Sequence, residues 1–85
     1  MPKADGKVAL VREQGQDFAV LLVKDQVLNS PQTREDLLMF GQGQFGVRTA
    51  LIGEHGGTWG PTDIVDWLNS VAPEQLPWRE FTVDN

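Results

Sequence analysis

Apolar runs and polar breaks follow one another along this chain on a scale that fits strands and short helices. The first apolar run is KVALVRE at 7–13 and the second is FAVLLV at 18–23, separated by EQGQD with Gly15 at its centre. Two β-rich runs joined through a glycine-containing break predict a hairpin. FAVLLV does not alternate with polar residues, which predicts a strand buried on both faces near the middle of a sheet.

A helix is predicted next, within LNSPQTREDLLMF. Ser30 suits an N-cap, and Pro31 suits the first helical position, where its missing N–H has no intrahelical partner to lose. The helix is expected from Pro31 to Phe40, ended by Gly41. Thr33, Leu37 and Phe40 share one side with Leu38 at its flank, and Met39 falls opposite beside Glu35 and Asp36. VRTALIG at 47–53 predicts a third strand. A helix lies between it and 18–23, so the two are expected to run parallel through a right-handed crossover.

EHGGTWG at 54–60 predicts a turn, with His55-Gly56-Gly57 closing a short hairpin and Thr58 and Trp59 returning. GPTDIVDWLNSVAP predicts the second helix: Gly60 or Thr62 caps it, Pro61 opens it and Pro73 ends it. Asp63 falls in its first turn, where the helix dipole favours an acid. Ile64, Val65, Trp67, Leu68, Val71 and Ala72 form a broad apolar arc. WREFTV at 78–83 alternates and predicts a half-exposed edge strand. The predicted order is β-β-α-β-(β)-α-β. It describes a small single α/β (α+β) domain over residues 1–85, with a mixed sheet of four or five strands and two helices. Those helices lie either in one layer or one on each face. Residues 1–6 and 84–85 are expected to be loose.

Length agrees with one domain, since a chain of 85 residues buries about 60–65% of its unfolded surface. There is no cysteine, which removes disulfides, thiolate nucleophiles and zinc–sulfur sites. No apolar stretch resembles a leader or a membrane span, and a cytoplasmic location is the expectation. The net charge of −5 is unevenly spread: residues 1–53 carry six bases and six acids, and residues 54–85 carry one base and six acids. Without clustered Lys and Arg, neither nucleic acid nor an anionic membrane surface is an expected partner.

The segment GQGQFG at 41–46 has the G-x-G-x-x-G spacing of a dinucleotide turn, but such a turn must follow a strand and open a helix. Here the predicted order is reversed, so the glycines read as a helix terminator and a loop. Gly53, Gly56, Gly57 and Gly60 do lie between a strand and a helix, the topology that anion sites use. His55, Gly56, Gly57, Thr62 and Asp63 are therefore the candidate ligand-binding residues. A plain hairpin turn is the simpler reading, and Asp63 itself can serve the helix N-terminus.

His55 is the sole histidine, with no further ligands at metal spacing, so no metal and no cofactor are expected. Ser30 and Ser70 are the only serines, and neither sits in a nucleophile motif. An enzyme is thus less expected than a binding domain. Trp59, Trp67 and Trp78 all fall in the acidic C-terminal part. Tryptophan is enriched in binding hot spots as well as in small cores. Trp59, Trp67, Trp78, Glu80 and Phe81 are the candidate interaction surface of a non-catalytic protein-interaction or assembly module, with a protein partner or a second copy as the occupant. The alternative is a small-ligand or anion-binding domain, or a degenerate enzyme, built on residues 53–63 and His55.

Overall fold

A computed structural model of the chain describes residues 4–13, 15–55 and 57–83. Five strands form one mixed sheet: β1 (Ala4–Glu13), β2 (Gln16–Val23), β3 (Arg48–Gly53), β4 (Thr58–Trp59) and β5 (Trp78–Val83). Their spatial order is β4-β3-β2-β1-β5. β1 and β2 form the expected antiparallel hairpin, with Val8 opposite Leu21 and Leu10 opposite Ala19. β2 and β3 run parallel, with Phe18 opposite Arg48 and Val23 opposite Gly53. β4 returns antiparallel along β3, and β5 lies antiparallel on the outer side of β1. Residues 4–6, expected to be loose, belong to β1 and face residues 83–81 of β5. Residues 1–3, 84 and 85 lie outside the described residues.

The helices are α1 (Asp25–Leu28), α2 (Pro31–Phe45) and α3 (Thr62–Leu68), followed by a 3-10 turn at Pro73–Gln75. The central strand explains their placement. Side chains alternate across a strand, so an unbroken apolar run supplies both faces of the sheet. Phe18 and Val20 join Ala9, Ala50 and Ile52 beneath Ile64 and Leu68 of α3. Ala19 and Leu21 join Val8 and Leu51 beneath Leu37, Leu38 and Phe40 of α2. One long helix therefore covers each face, the second of the two arrangements expected.

The end of α2 differs from expectation. The helix does not stop at Gly41 but runs to Phe45, and GQGQFG is mostly helical. Gly46, at φ 70°, is the left-handed C-cap, and its N–H donates to the Gln42 carbonyl at 2.9 Å. Phe45 supplies the reason for the extra turn. Its ring meets Phe40 edge-on at 6.5 Å and Phe81 edge-on at 5.8 Å, closing the core at that end. Gly41 is buried where α2 crosses β3 over Thr49.

α3 is shorter than expected and ends at Leu68. Beyond it the Ser70 hydroxyl and N–H both donate to the Trp67 carbonyl, at 2.7 and 3.0 Å, which tightens the backbone out of α-geometry. Val71 still packs on the core from this turn. Met39 is 69% exposed, as its place on the polar side of α2 requires.

Candidate functional site

Four of the five residues expected to form an interaction surface divide between the two edges of the sheet, and the fifth, Trp67, is on α3. Trp59 is on β4 at one edge; Trp78, Glu80 and Phe81 are on β5 at the other. Four strand spacings separate the edges, about 19 Å at the usual 4.8 Å each. Trp59 is 38% exposed, and the Arg34 guanidinium of α2 lies 3.8 Å from its ring centre, a cation–π contact. The same guanidinium donates to the Leu28 carbonyl at 3.0 Å, so it ties α1, α2 and β4 together. Trp67 is half-buried, edge-on to Phe18 at 5.3 Å, and Trp78 packs against the same core. Both tryptophans belong mainly to the α3 face of the sheet, so no continuous aromatic patch forms.

β5 is the more distinctive feature of this group. It presents six residues along the sheet's outer edge, whereas β4 closes the opposite edge with two. Its inner side is paired with β1 through Lys7–Glu80, Val8–Arg79 and Ala9–Trp78. Among the described residues no strand lies on its outer side. Arg79 and Glu80 are exposed, and Phe81 is tucked against Phe40 at 6.0 Å between ring centres.

The expected ligand residues are likewise parted. His55 lies just beyond the carboxyl end of β3, while Asp63 is bound at its amino end, where Arg48 donates to Asp63 Oδ1 at 3.1 Å and to Oδ2 at 2.8 Å. Arg48 also donates to Gln16 Oε1. Six residues of strand separate the two positions, about 17 Å of rise. Thr62 goes with Asp63, at the start of α3, because β4 carries the chain back along β3. The Arg48 guanidinium holds the Asp63 carboxyl below the usual range and is itself pushed up by it. This pair joins α3 to the sheet.

At the carboxyl end, His55 meets a residue that sequence reasoning did not single out. Asp25 Oδ2 pairs with His55 Nδ1, and the His55 N–H donates to Asp25 Oδ1 at 3.3 Å. The nearest signal was the parallel register: Val23 faces Gly53 at the ends of the two strands, which brings the start of α1 and the turn after β3 close together. Gly53 is there for close approach, since a Cβ would stand 2.7 Å from Asp25 Oδ1 and from Leu28 Cδ1. A Cβ on Gly57 would stand 2.9 Å from Leu28 Cδ1. The turn's N–H groups are used internally: Gly53 donates to the Gly57 carbonyl at 2.6 Å, Glu54 to the Val23 carbonyl at 3.1 Å, and His55 to Asp25. An anion would have to displace those bonds. Gly56 lies outside the described residues. Among the described residues no three His, Asp or Glu side chains gather where a metal could be held.

The Asp25–His55 pair carries a pH signature. Hydrogen bonding with Asp25, then its charge and that of Glu54, raises the His55 imidazole above its ordinary 6.5. Hydrogen bonding from His55 lowers the Asp25 carboxyl below its ordinary 3.8. The folded His55 value is raised, so its contribution is complete below 6.5 and is lost as pH rises through the raised value. The folded Asp25 value is lowered, so its contribution is complete above 3.8 and is lost as pH falls through the lowered value. The pair therefore stabilises the fold between 3.8 and 6.5. A thermal-melt cycle of Asp25→Asn, His55→Gln and the double variant is expected to show a favourable coupling near pH 5 that falls away at alkaline pH, above the raised His55 value. A coupling that does not change between those pH values rules the ion pair out.

Among the described residues no helix is long and apolar enough to cross a membrane. No family model, no curated protein and no solved structure matches the chain.

Proposed function

We propose that this protein is a non-catalytic interaction module that receives an extended segment of a partner protein along the outer edge of β5. The observation that carries this reading is the six-residue edge strand with its outer side unoccupied by any described strand. Such an edge offers a row of backbone N–H and C=O groups, and strand addition satisfies them while alternate side chains set specificity. Proteins usually blunt exposed edges. The β4 edge is blunted by its length and by the α2 guanidinium over Trp59. β5 instead keeps its full length, with Trp78 and Phe81 anchoring it to opposite faces of the core. A rigidly held edge loses little entropy on pairing.

Selection of binders from a random-peptide display library, followed by amide hydrogen exchange, tests the reading. Selected peptides are expected to slow exchange within residues 78–83 and to leave residues 53–57 unchanged. Binders that protect some other surface, or a library that yields none, would exclude β5 as the receiving strand.

One observation favours a second reading, a small-ligand or degenerate catalytic site. The Asp25–His55 pair lies at the carboxyl ends of two parallel strands, where open α/β sheets commonly bind ligands. An oriented imidazole there has the form of a general base or a ligand contact. Amide shift mapping against phosphate, nucleotides and divalent metals decides it: movement of His55 and Gly57 supports the site, and silence at both at millimolar ligand removes it.

A further inference from the structure

Taking β5 as the strand that receives a partner, we infer that its occupant is not a second copy of this chain. The charges on β5 fit a different segment, added antiparallel, that places an acid opposite Arg79 and a base opposite Glu80. Read from its amino end, such a segment runs apolar, basic, acidic, apolar.

The two charges stand in unequal surroundings. Along the inner side of β5, Glu80 faces Lys7, so an opposite charge stands across the pair from it, although among the described residues neither Glu80 nor Arg79 is in an ion pair. Arg79 faces Val8, which is buried, and has no ion-pair partner among the described residues. It is also the one base in residues 54–85. Arg79 has no carboxylate opposite it on its inner side, and an added strand can place one there from the outer side, since directly opposed residues of an antiparallel pair stand on the same face within reach of each other.

A second copy does not supply that carboxylate. Two β5 strands continuing one sheet are related by a two-fold axis perpendicular to it, which keeps each residue on its own face. Opposed residues must then be both odd or both even in number, so a symmetric pairing is centred on a residue. Centring on Arg79 sets arginine against arginine, and centring on Glu80 sets glutamate against glutamate, both destabilising. Centring on Phe81 sets Arg79 against residue 83 and Glu80 against residue 82, neither of them charged. Like charges thus oppose two of these registers and the third leaves both charges unmatched, whereas a segment with the reverse order matches both, which is discrimination by fit with repulsion added in two registers.

Two peptides centred on Val-Lys-Glu-Val and Val-Glu-Lys-Val, titrated into the intact protein and followed by amide shifts and exchange at residues 78–83, test the match. The Lys-Glu peptide is expected to bind about tenfold more tightly than its charge-swapped counterpart. Arg79→Glu combined with Glu80→Lys should invert the preference, with circular dichroism confirming an unchanged fold. Replacing the peptide's glutamate by threonine should weaken binding more than replacing its lysine, because Glu80 retains Lys7. Equal binding of both peptides along β5 would leave strand addition standing and overturn the charge match. Absence of protection at 78–83 with either peptide would remove strand addition and the charge match with it. A concentration-dependent dimer of the protein with β5 protected would identify a second copy as the occupant and overturn the inference.

Discussion

Gly60→Ala is expected to lower the free energy of unfolding by about 2–5 kcal/mol, the sum of a backbone and a packing penalty. Gly60 has φ 148°, a conformation that residues with a Cβ rarely adopt. A Cβ there would stand 2.8 Å from Ala50 Cβ and 2.9 Å from Ala50 Cα. Ala50 is fully buried in β3 and paired with Val20 of the central strand, so the atoms in the way are its Cβ and a backbone already fixed in the sheet. The chain leaves β4 at this point and enters α3 two residues later, so relief of the clash lifts Ile64 and Leu68 from the core. Gly15→Ala is the matching control. Gly15 also has positive φ, at 76°, but a Cβ there meets nothing within 4 Å. It should cost about 1–2 kcal/mol from conformation alone. Urea denaturation of both variants checks the difference. Equal losses would mean that the packing against Ala50 contributes nothing.

The sheet could be read from the sequence because its signals are local and agree with one another. The unbroken run at 18–23 needs apolar partners on both faces, and the chain supplies them from one helix after it, through Leu37, Leu38 and Phe40, and from one after β3, through Ile64 and Leu68. A helix between two strands implies parallel pairing, and alternation at 78–83 implies an edge; the structure contains both. The end of α2 was not legible because a glycine at that place has two meanings. Gly41 can terminate a helix, or it can let a helix touch a sheet, and only Thr49, eight residues later, distinguishes them. The spacing of Leu37, Gly41 and Phe45 at four residues was a usable hint, since all three then share a face.

The candidate sites were harder for the same reason. His55 and Asp63 are close in sequence yet β4 folds the chain back and sends them to opposite ends of β3. Asp25 is 30 residues from His55 yet pairs with it, because the parallel strands that precede them end side by side. Distance along the chain misleads wherever a strand return intervenes, whereas register carries the correct neighbour once the pairing is known. Edge position was legible for β5. The environment of its charges was not, because it depends on Lys7 and Val8 lying across from them.

The two helical glycines of α2 should respond to alanine in opposite directions, although only Gln42 separates them. At Gly41 a Cβ would stand 2.5 Å from Thr49 Cγ2, 2.6 Å from Oγ1 and 2.9 Å from Cβ. Thr49 is fully buried, its χ1 is stiff, and its hydroxyl donates to the Val47 carbonyl at 3.2 Å, so it yields little. Overpacking of about 1–3 kcal/mol then outweighs the roughly 1 kcal/mol that alanine gains over glycine in a helix. At Gly43 a Cβ meets nothing within 4 Å, so the helical gain stands alone and the variant should be stabilised by about 0.5–1 kcal/mol. Thr49→Ala removes the obstructing atoms beyond Cβ, at its own expense in lost packing. The Gly41→Ala, Thr49→Ala double variant should therefore be less destabilised than the two single variants added together, by about 1 kcal/mol. Chemical denaturation of the four variants measures each quantity. Additive effects at 41 and 49, or a gain at 41 equal to that at 43, would show that α2 does not press on β3 at this crossing and that its axis lies farther from the sheet.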